Sequence, residues 1–324
     1  MNAANPNVAE CIAPELAAVE RRFQQELDSA VHCVNTLVRH VERFRGKMLR
    51  PSLVLLAGKA CGTLTDAHLT LATVVEMVHM ATLVHDDVLD DAELRRRGAT
   101  LNHLRGNEAA VLLGDYLISH SYHLCSSLDS QLASRMIANT TNQLCEGELL
   151  QIHNRNRVEL DESTYIQIIT RKTAALCATC CHLGARFADA AQPRIDSMEL
   201  YGLSLGTAFQ IQDDILDIVG DAGTVGKTLG RDIEKGKMTL PMIHFMRTAP
   251  AEHRHLLQSL LLSRESDKVE RIRNLILPSG SIEYAASRAR QLVDRAHAAL
   301  DGLHDTDAGR TLHAMADFVV SRAM

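Results

Sequence analysis

Apolar residues recur every three to four positions along most of the chain, which is the spacing of helices with one buried face. Pro14 is well placed to open a first helix, in which Leu16, Val19, Phe23 and Leu27 form one apolar stripe. The pattern predicts further helices over residues 31–44, 53–61, 66–90, 107–127, 130–152, 162–188, 194–219, 238–262, 265–276, 281–301 and 308–322. No segment alternates apolar and polar residues as a strand does, so we predict an all-α fold.

The sequence contains no stretch that is typical of an interdomain linker. Residues 1–13 are polar and rich in alanine and asparagine, and we expect them to be a flexible N-terminus. The connections between predicted helices are short and often contain glycine, proline or aspartate. Residues 14–324 are therefore predicted to form a single large helical domain.

Composition indicates how the core is built and limits the classes of partner. The chain has 324 residues, of which 46% are hydrophobic but only 3% aromatic, so mainly aliphatic side chains must fill the core. The net charge of −6 argues against nucleic acid or an anionic membrane as the main partner. No apolar run reaches the roughly 18 residues of a transmembrane helix. The N-terminal segment does not resemble a secretion signal, so we expect a cytoplasmic protein.

Eight cysteines are scattered through apolar helical sequence, as is typical of reduced thiols in a cytosolic protein. Cys177, Cys180, Cys181 and His182 form a local cluster that resembles a metal site. This cluster has no second ligand pair at the spacing of a zinc finger, and it lies in an alanine-rich helix. We therefore interpret the three cysteines as buried small side chains.

An acidic cluster at the end of the predicted helix 66–90 is the first candidate for chemistry. Asp86 and Asp90 lie four positions apart on one helix face, and Asp87 and Asp91 repeat that spacing. Like charges at this spacing repel each other, so the cluster requires a compensating cation. Carboxylate oxygens with room for water suit Mg²⁺ better than Zn²⁺. Taken alone, the pattern fits a helix that ends in a solvated acidic loop equally well.

The acidic sequence occurs twice. The Asp-Asp-Val-Leu-Asp of residues 86–90 recurs at 213–217 as Asp-Asp-Ile-Leu-Asp, again at the C-terminal end of an apolar helix. Two such clusters facing each other across a helical bundle would form a site for several Mg²⁺ ions. We expect such a site to hold and polarise an anionic, oxygen-rich group, most plausibly a diphosphate.

Basic residues accompany both acidic clusters. Lys47 and Arg50 lie where a loop meets the start of a helix, which is favourable ground for an anion. Each of these cations taken singly is typical of a solvated surface charge, but together they supply enough positive charge for two diphosphates. The others are Arg95, Arg96, Arg97, Lys172, Lys227 and Lys237.

Two other motifs are rejected on spacing and context. His85-Asp86 is similar to the dipeptide of metal phosphohydrolases, but here a carboxylate-only cluster repeats without the further His ligands which that chemistry needs. The glycine-rich sequence of residues 220–228 is similar to a phosphate-binding P-loop. It has one residue too many between the outer glycines, and it follows a helix instead of a strand.

From about residue 15 to 322, the sequence resembles the trans-type polyprenyl diphosphate synthases, and most closely their octaprenyl-like medium- and long-chain bacterial members. The ordered set of motifs that carries the resemblance is Gly46–Pro51, Glu76–His79, Asp86–Asp90, Arg95-Arg96, Gly106-Asn107, Gly114-Asp115, Glu146–Glu148, Lys172-Thr173, Phe209–Asp214 and Gly236-Lys237. The resemblance implies a helical bundle of the isoprenoid synthase type, with the active-site cavity between its central helices. It also implies a homodimer.

The resemblance implies a role for each matching residue. The metal ligands would be Asp86, Asp87 and Asp90 in the first motif and Asp213 in the second, supported by Asp214 and Asp217. They would bind Mg²⁺, with three ions expected when diphosphate is present. The allylic diphosphate would be held by Arg95, Lys172 and Lys227, and isopentenyl diphosphate by Lys47, Arg50, His79 and Arg96, with Lys237 as a further substrate-binding residue. Thr173 and Gln210 would place oxygens near the developing carbocation.

Three positions depart from the usual family pattern. The family usually has two arginines followed by glycine, whereas this chain has three arginines. Counting without gaps from Asp86 assigns the functional pair to Arg95 and Arg96 and leaves Arg97 at the glycine position. Arg45 replaces a usual glycine and Met48 a usual basic residue, and we expect both changes to weaken the second diphosphate site slightly.

The implied reaction is sequential condensation of isopentenyl diphosphate onto an allylic diphosphate such as farnesyl diphosphate. Ala81 and Thr82 lie about one helical turn before Asp86, where short-chain members often carry bulky aromatic residues. Small residues there would leave a tunnel open and predict a product longer than C20, although Ala81 is also consistent with close helix packing alone. The alternatives are a short-chain farnesyl or geranylgeranyl diphosphate synthase, a regulatory subunit of a heteromeric synthase, and a class I terpene cyclase. Any contact with a membrane would come through the lipid product.

Overall fold

The computed structural model describes residues 10–43, 46–95, 98–220, 230–263 and 265–321, and most of them are helical, which confirms the all-α prediction. The helices in chain order are α1 (Ala13–Glu26), α2 (His32–Glu42), α3 (Leu49–Cys61), α4 (Asp66–Leu89), α5 (Leu101–Arg105), α6 (Asn107–Ser126), α7 (Gln131–His153), α8 (Glu162–Ile169), α9 (Ala175–Phe187), α10 (Gln192–Val219), α11 (Arg231–Glu234), α12 (Leu240–Thr248), α13 (Ala251–Leu262), α14 (Lys268–Ile276), α15 (Ser281–Ala299) and α16 (Asp307–Ser321). A π-helix (Thr170–Ala174) joins α8 to α9, and a 3₁₀ turn (Leu277–Ser279) follows α14.

One compact unit contains the described residues of Met1–Thr141, Thr179–Glu199 and Gly302–Leu312. Its central element is α4, which packs along α6 and against α1 and α3. Residues 71–78 of α4 are all buried. A helix that is apolar on nearly every side has to be enclosed by other elements, and this explains the central position of α4 in the unit.

A buried histidine fixes the start of α4. The backbone N–H of Thr65 donates to Nδ1 of His68 at 3.0 Å, and Nε2 of His68 donates to the carbonyl of Gly184 at 3.1 Å. Burial lowers the pKa of His68, although the hydrogen bond to the carbonyl of Gly184 opposes the shift. Gly58 leaves the ring its space, because a Cβ at Gly58 would lie 2.6 Å from Cδ2 of His68.

Among the described residues, α4 is also the one helix that is long and apolar enough to cross a membrane by length and composition. Within its most apolar 18-residue window, 72% is buried inside the fold. Core helices of soluble proteins share this length and composition, and the burial of α4 is that of a core helix.

A second compact unit contains the described residues of Asn142–Ala178, Leu200–Asp301 and His313–Met324. Its core is built from aliphatic side chains of α10 and the helices that follow it, together with Phe245 and the ring of Tyr165. In this unit α15 packs against α12. The predicted single domain over residues 14–324 stays a prediction.

The structure interrupts two of the predicted helices. The segment predicted over 162–188 contains the π-helix, and the segment predicted over 238–262 is divided between α12 and α13. The second break lies at Ala249, which is extended with ψ of 157° because the following Pro250 disfavours helical geometry in the residue before it. A two-residue antiparallel hairpin, β1 (Leu94–Arg95) and β2 (Gly98–Ala99), was not predicted.

All eight cysteines are free thiols. Cys177, Cys180 and Cys181 are buried in α9, which confirms their interpretation as small core side chains. Nδ1 of the neighbouring His182 lies 2.8 Å from a carboxylate oxygen of Glu199.

Candidate active site

The first acidic cluster forms the C-terminal end of α4 in the first unit. Asp86 and Asp90 are half-buried, and the N–H of Asp90 donates to the carbonyl of Asp86 at 2.8 Å. The helix ends at Leu89, and Asp91, two residues later, adopts a left-handed φ of 44° that an α-helix does not continue. The sequence therefore places two partly accessible carboxylates on the last helical turn, as predicted.

Asp87 has a different environment from its neighbours. Nε of Arg95 donates to both carboxylate oxygens of Asp87 at 3.0 and 2.9 Å, and a terminal nitrogen of Arg95 lies 2.9 Å from Oδ1. Nδ2 of Asn102 donates to the carbonyls of Asp87 and Ala92, both at 3.2 Å, which ties the start of α5 to the end of α4. Asp87 thus holds Arg95, one of the three residues expected to bind the allylic diphosphate.

A cavity of about 20 Å³, enough for about one water molecule, lies beside this cluster. Its polar wall brings together two predicted ligand-binding residues and two acids, namely His79, Arg95, Glu76 and Asp87. Gly46 forms another part of its wall. The cavity therefore joins the glycine before Lys47 to the helix that carries the first acidic motif.

Lys47 is exposed and Arg50 half-buried, on either side of Met48. Met48 has a left-handed φ of 53°, and α3 begins at the following residue. Arg96, together with Arg97 and Arg45, lies outside the described residues. Ala81 is fully buried, and the hydroxyl of the half-buried Thr82 donates to the carbonyl of His79 at 2.7 Å.

His85 contacts α6 from the end of α4, and the sequence analysis did not predict this contact. Its Nε2 lies 3.2 Å from the carbonyl of Val111 and 3.5 Å from a carboxylate oxygen of Asp115. A Cβ at Gly114 would come within 2.1 Å of the same nitrogen. The glycine thus provides the space in which the ring lies against α6.

The second acidic cluster lies near the C-terminal end of α10 in the second unit. Asp214 is buried and accepts hydrogen bonds from the Tyr165 hydroxyl at 2.7 Å and from Nε2 of Gln210 at 2.8 Å. The Thr173 hydroxyl donates to Oε1 of Gln210 at 2.9 Å. Asp213, on the same turn, is half-buried. The structure thus brings Thr173, Gln210 and Asp214 into one hydrogen-bonded chain and adds Tyr165, which the sequence analysis missed.

Burial governs the ionisation of this chain. Burial, reinforced by the nearby charge of Asp232, raises the pKa of Asp214 well above its ordinary value, while the bonds from Tyr165 and Gln210 oppose the shift. Burial and the Asp214 charge likewise raise the pKa of Tyr165 well above its ordinary value. The tyrosine is therefore a neutral hydroxyl that can donate at physiological pH.

Asp217 joins α10 to the segment that begins at Gly230. Its carboxylate accepts the backbone N–H groups of Arg231 and Asp232 at 3.3 and 3.1 Å. Burial and the nearby Asp232 raise the pKa of Asp217 to about 6. Nζ of Lys237 lies 3.8 Å from Oδ1 of Asp232. Lys227 lies outside the described residues.

Lys172 and Thr173 lie in the π-helix, an irregularity that is common at functional sites. Nζ of Lys172 forms an ion pair with Glu148 and donates to Oε1 of Gln151 at 2.9 Å. A Cβ at Gly147 would lie 2.6 Å from the backbone nitrogen of Lys172. The close approach of α7 therefore depends on glycine at this position.

Comparison with known proteins agrees with this geometry. The sequence profile of the family described as Polyprenyl synthetase matches residues 31–277. Octaprenyl diphosphate synthase of Escherichia coli is 33% identical over 316 residues, which cover 97% of this chain and 98% of that protein.

Solved structures give the same result. The crystal structure of a decaprenyl diphosphate synthase from Rhodobacter capsulatus superposes with a TM-score of 0.92 at 32% identity, covering 98% of both chains. A polyprenyl synthase from Caulobacter crescentus, complexed with calcium and isoprenyl diphosphate, also gives 0.92, at 33% identity and with 98% of both chains covered. This chain belongs to the polyprenyl synthetase family and is a prenyltransferase with the all-α fold of that family.

Proposed function

We propose that this protein is a trans-polyprenyl diphosphate synthase that extends an allylic diphosphate, such as farnesyl diphosphate, with isopentenyl diphosphate to a product longer than C20. The observation that carries the proposal is the pair of acidic sequences, each ending an apolar helix with partly accessible carboxylates. Each cluster also contains one buried aspartate that holds a neighbouring side chain in place. Asp87 holds Arg95, and Asp214 holds Gln210.

The donor set fits Mg²⁺. Within the described part of the chain, no three His, Cys, Asp or Glu side chains already converge closely enough to hold a metal ion. Mg²⁺ is usually bound by one or two carboxylates together with substrate phosphate oxygens, and Asp86, Asp90 and Asp213 present such carboxylates. When bound, Mg²⁺ supplies Lewis-acid stabilisation of a departing diphosphate.

The residues of the chain divide the remaining work. Arg95 and Lys172, together with Lys227, hold the allylic diphosphate and neutralise the charge that grows on it as the C–O bond breaks. Lys47, Arg50, His79 and Arg96 hold isopentenyl diphosphate so that its double bond faces the cation, and Lys237 assists substrate binding. Holding the two substrates in this orientation contributes several kcal/mol to catalysis, out of the roughly 7–11 kcal/mol that proximity can supply.

Thr173 and Gln210 place their oxygens near the cation. The released diphosphate takes the proton that the new bond sets free, so no strong side-chain base is needed. We further propose that the enzyme is a homodimer and acts in the cytoplasm. Its eight free thiols, which include the exposed Cys33 and Cys145, are consistent with a reducing compartment.

The test is turnover by the purified protein with Mg²⁺, isopentenyl diphosphate and farnesyl diphosphate, with mass spectrometry of the products. Diphosphates longer than C20 support the proposal. Products that stop at C20 would indicate a short-chain synthase, a released hydrocarbon would indicate a terpene cyclase, and no turnover without a second protein would indicate a regulatory subunit.

A matched pair of variants tests the site. Asp86→Asn should lower turnover at least about a hundredfold, the scale of losing one transition-state contact. Asp66→Asn changes the same residue type at the opposite end of the same helix and should leave turnover unchanged. Equal activity in the two variants would remove Asp86 from the site.

A further inference from the structure

We infer that Tyr165 is a positioning residue of the proposed synthase, acting through Asp214 and Gln210 to set the hydrogen-bond direction of Thr173. The inference rests on the proposed function, because Thr173 and Gln210 have a role only if a carbocation forms beside them. Tyr165 lies 49 positions before Asp214 in the sequence, and only the fold brings the two side chains together.

The four side chains form a linear relay. The Tyr165 hydroxyl donates to Oδ2 of Asp214 at 2.7 Å. The other oxygen, Oδ1, accepts from Nε2 of Gln210 at 2.8 Å. Oε1 of Gln210 then accepts from the hydroxyl of Thr173 at 2.9 Å. Tyr165 and Asp214 are buried, so water does not readily replace either partner.

Each bond in the relay has one direction in the structure. Both oxygens of Asp214 accept, Oδ2 from Tyr165 and Oδ1 from Nε2 of Gln210, so the amide nitrogen of Gln210 faces Asp214. The amide oxygen of Gln210 therefore faces Thr173, and the threonine hydroxyl has to use its one hydrogen as a donor. The lone pairs of the threonine oxygen are then directed away from Gln210.

This direction matters for a reaction that develops positive charge. A threonine oxygen with its hydrogen already donated presents only negative density to a cation. If the side-chain amide of Gln210 flipped, its NH₂ group would donate to the oxygen of Thr173. The hydroxyl hydrogen of Thr173 would then no longer be bonded to Gln210 and could point towards the cation. Losing the Tyr165 hydroxyl leaves one oxygen of a buried carboxyl group without its donor, so the group can turn and no longer holds the amide of Gln210 in this place.

Tyr165→Phe tests the inference because it removes one oxygen and keeps the ring that packs in the core of the second unit. We expect kcat to fall about tenfold at saturating substrates, the size expected from one positioned hydrogen bond, while both KM values stay within about twofold. In a Thr173→Ala background the same change should alter kcat less than about twofold, because the relay has lost its end point.

The matched control is Tyr284→Phe in the same unit. The Tyr284 hydroxyl donates to a carboxylate oxygen of Glu162 at 2.6 Å, so this variant loses an equivalent tyrosine–carboxylate bond outside the relay. Its kcat should equal that of the wild type. Thr173→Ser keeps a hydroxyl and should keep the sensitivity to Tyr165→Phe.

Three results would overturn the inference: an unchanged kcat in Tyr165→Phe, an equal loss in both backgrounds, or an equal loss in the control. If Tyr165→Phe does not fold, as judged by its melting curve, Gln210→Leu replaces it and should lower kcat by a smaller factor in the Thr173→Ala background, because the part of its effect that passes through Thr173 is already lost. A wild type without turnover would refute the proposed function itself, which separates that failure from the failure of the relay.

Discussion

Arg95 and Arg22 each pair with an aspartate of the first unit, but the two pairs differ in their access to water. The side chains of Arg95 and Arg22 are 27% and 26% exposed, whereas those of their partners Asp87 and Asp66 are 9% and 75% exposed. Solvent screens the attraction between the charges of an exposed pair. A buried carboxylate has little contact with water, so its charge depends on its partner for stabilisation. The sequence showed the charges, but only the structure shows which of them is sheltered.

We predict a larger coupling energy for Arg95–Asp87 than for Arg22–Asp66. Double-mutant cycles to alanine, followed by urea unfolding, should give about 1–2 kcal/mol for the sheltered pair, a value reduced for its partial exposure. The exposed pair should give less than about 1 kcal/mol. Equal couplings would show that Arg95 is held by something other than Asp87.

His68 gives the protein a pH dependence with a defined sign. Its folded-state pKa is lowered below about 6.5, chiefly by burial. The stability that comes from the neutral ring is therefore complete above about pH 6.5 and is lost as the pH falls, because the unfolded chain takes up the proton first. Protonation would also place a hydrogen on Nδ1, which would then face the backbone N–H of Thr65, a group that can only donate.

We predict that His68→Gln flattens the pH dependence of the unfolding free energy below about pH 6.5, by up to about 1.4 kcal/mol per pH unit. Urea unfolding in the presence of a metal chelator measures this slope without interference from metal binding. The control is His123→Gln, which changes an exposed histidine on α6 and should leave the wild-type slope. If both variants kept the wild-type slope, His68 would not be the source of this pH dependence.

At the scale of elements, apolar spacing predicted helices well wherever a helix stands alone. It failed where backbone geometry decides the outcome. The π-helix has the same apolar pattern as the α-helices around it, and the break at Ala249 depends on the ring of Pro250. The hairpin of β1 and β2 is too short to produce an alternating pattern. Apolar spacing becomes visible only over several helical turns. The π-helix, the break and the hairpin are shorter than that, so they leave no mark on the pattern.

The π-helix is held between glycines, and we predict that it is required for turnover. A methyl group at Gly147 would lie 2.6 Å from the nitrogen of Lys172, and one at Gly206 would lie 2.7 Å from Cα of Ala174. Gly147→Ala should shift Lys172 and Thr173, lower kcat at least about tenfold and destabilise the fold by about 1–3 kcal/mol.

The control for steric strain is Gly202→Ala. A methyl group there meets the carbonyl of Cys177 at 2.4 Å, in α9 and beyond the π-helix. It should destabilise the fold to a similar extent, as melting curves would show, but keep kcat within about threefold of the wild type. If Gly202→Ala lost as much kcat as Gly147→Ala, general strain would explain both results.

Ala81 is predicted to set product length from its position on α4. It is fully buried in a helix that packs along α6, so a larger side chain takes space from the interior of the first unit. Ala81→Leu and Ala81→Phe should shorten the product progressively, as measured by mass spectrometry. Ala72→Leu, at a buried alanine earlier in the same helix, should lower the melting temperature without changing product length. An unchanged product in both Ala81 variants would mean that Ala81 serves only helix packing.

At the scale of the whole molecule, the sequence predicted the family, the fold and the enzyme class, and all three are confirmed. The roles of the site residues stay predictions. The repeated acidic motif was visible because its spacing is local, and it indicated Asp86 and Asp213 directly. Tyr165 and His85 were not visible, because each acts through a contact that only tertiary packing creates. In the sequence, Tyr165 is typical of an ordinary helix position, and His85 was considered only as part of the rejected His-Asp motif.

The proposed homodimer is testable because α6 and α7 each expose several large apolar side chains, including Val111 on α6 and Leu132 and Ile152 on α7. Leu112 on α6 is 68% exposed and Leu149 on α7 is 65% exposed, and such exposure often marks an interaction surface. Leu112→Glu and Leu149→Glu should each convert a dimer to a species with the chain mass of 35.7 kDa, as measured by light scattering after gel filtration. Leu262→Glu, at a leucine of 64% exposure on α13, should leave the mass of the dimer unchanged. A charge at the core of an interface loses its hydration when the dimer forms, whereas a charge on a free surface keeps it. Dissociation in all three variants, or in none, would contradict an interface at α6 and α7.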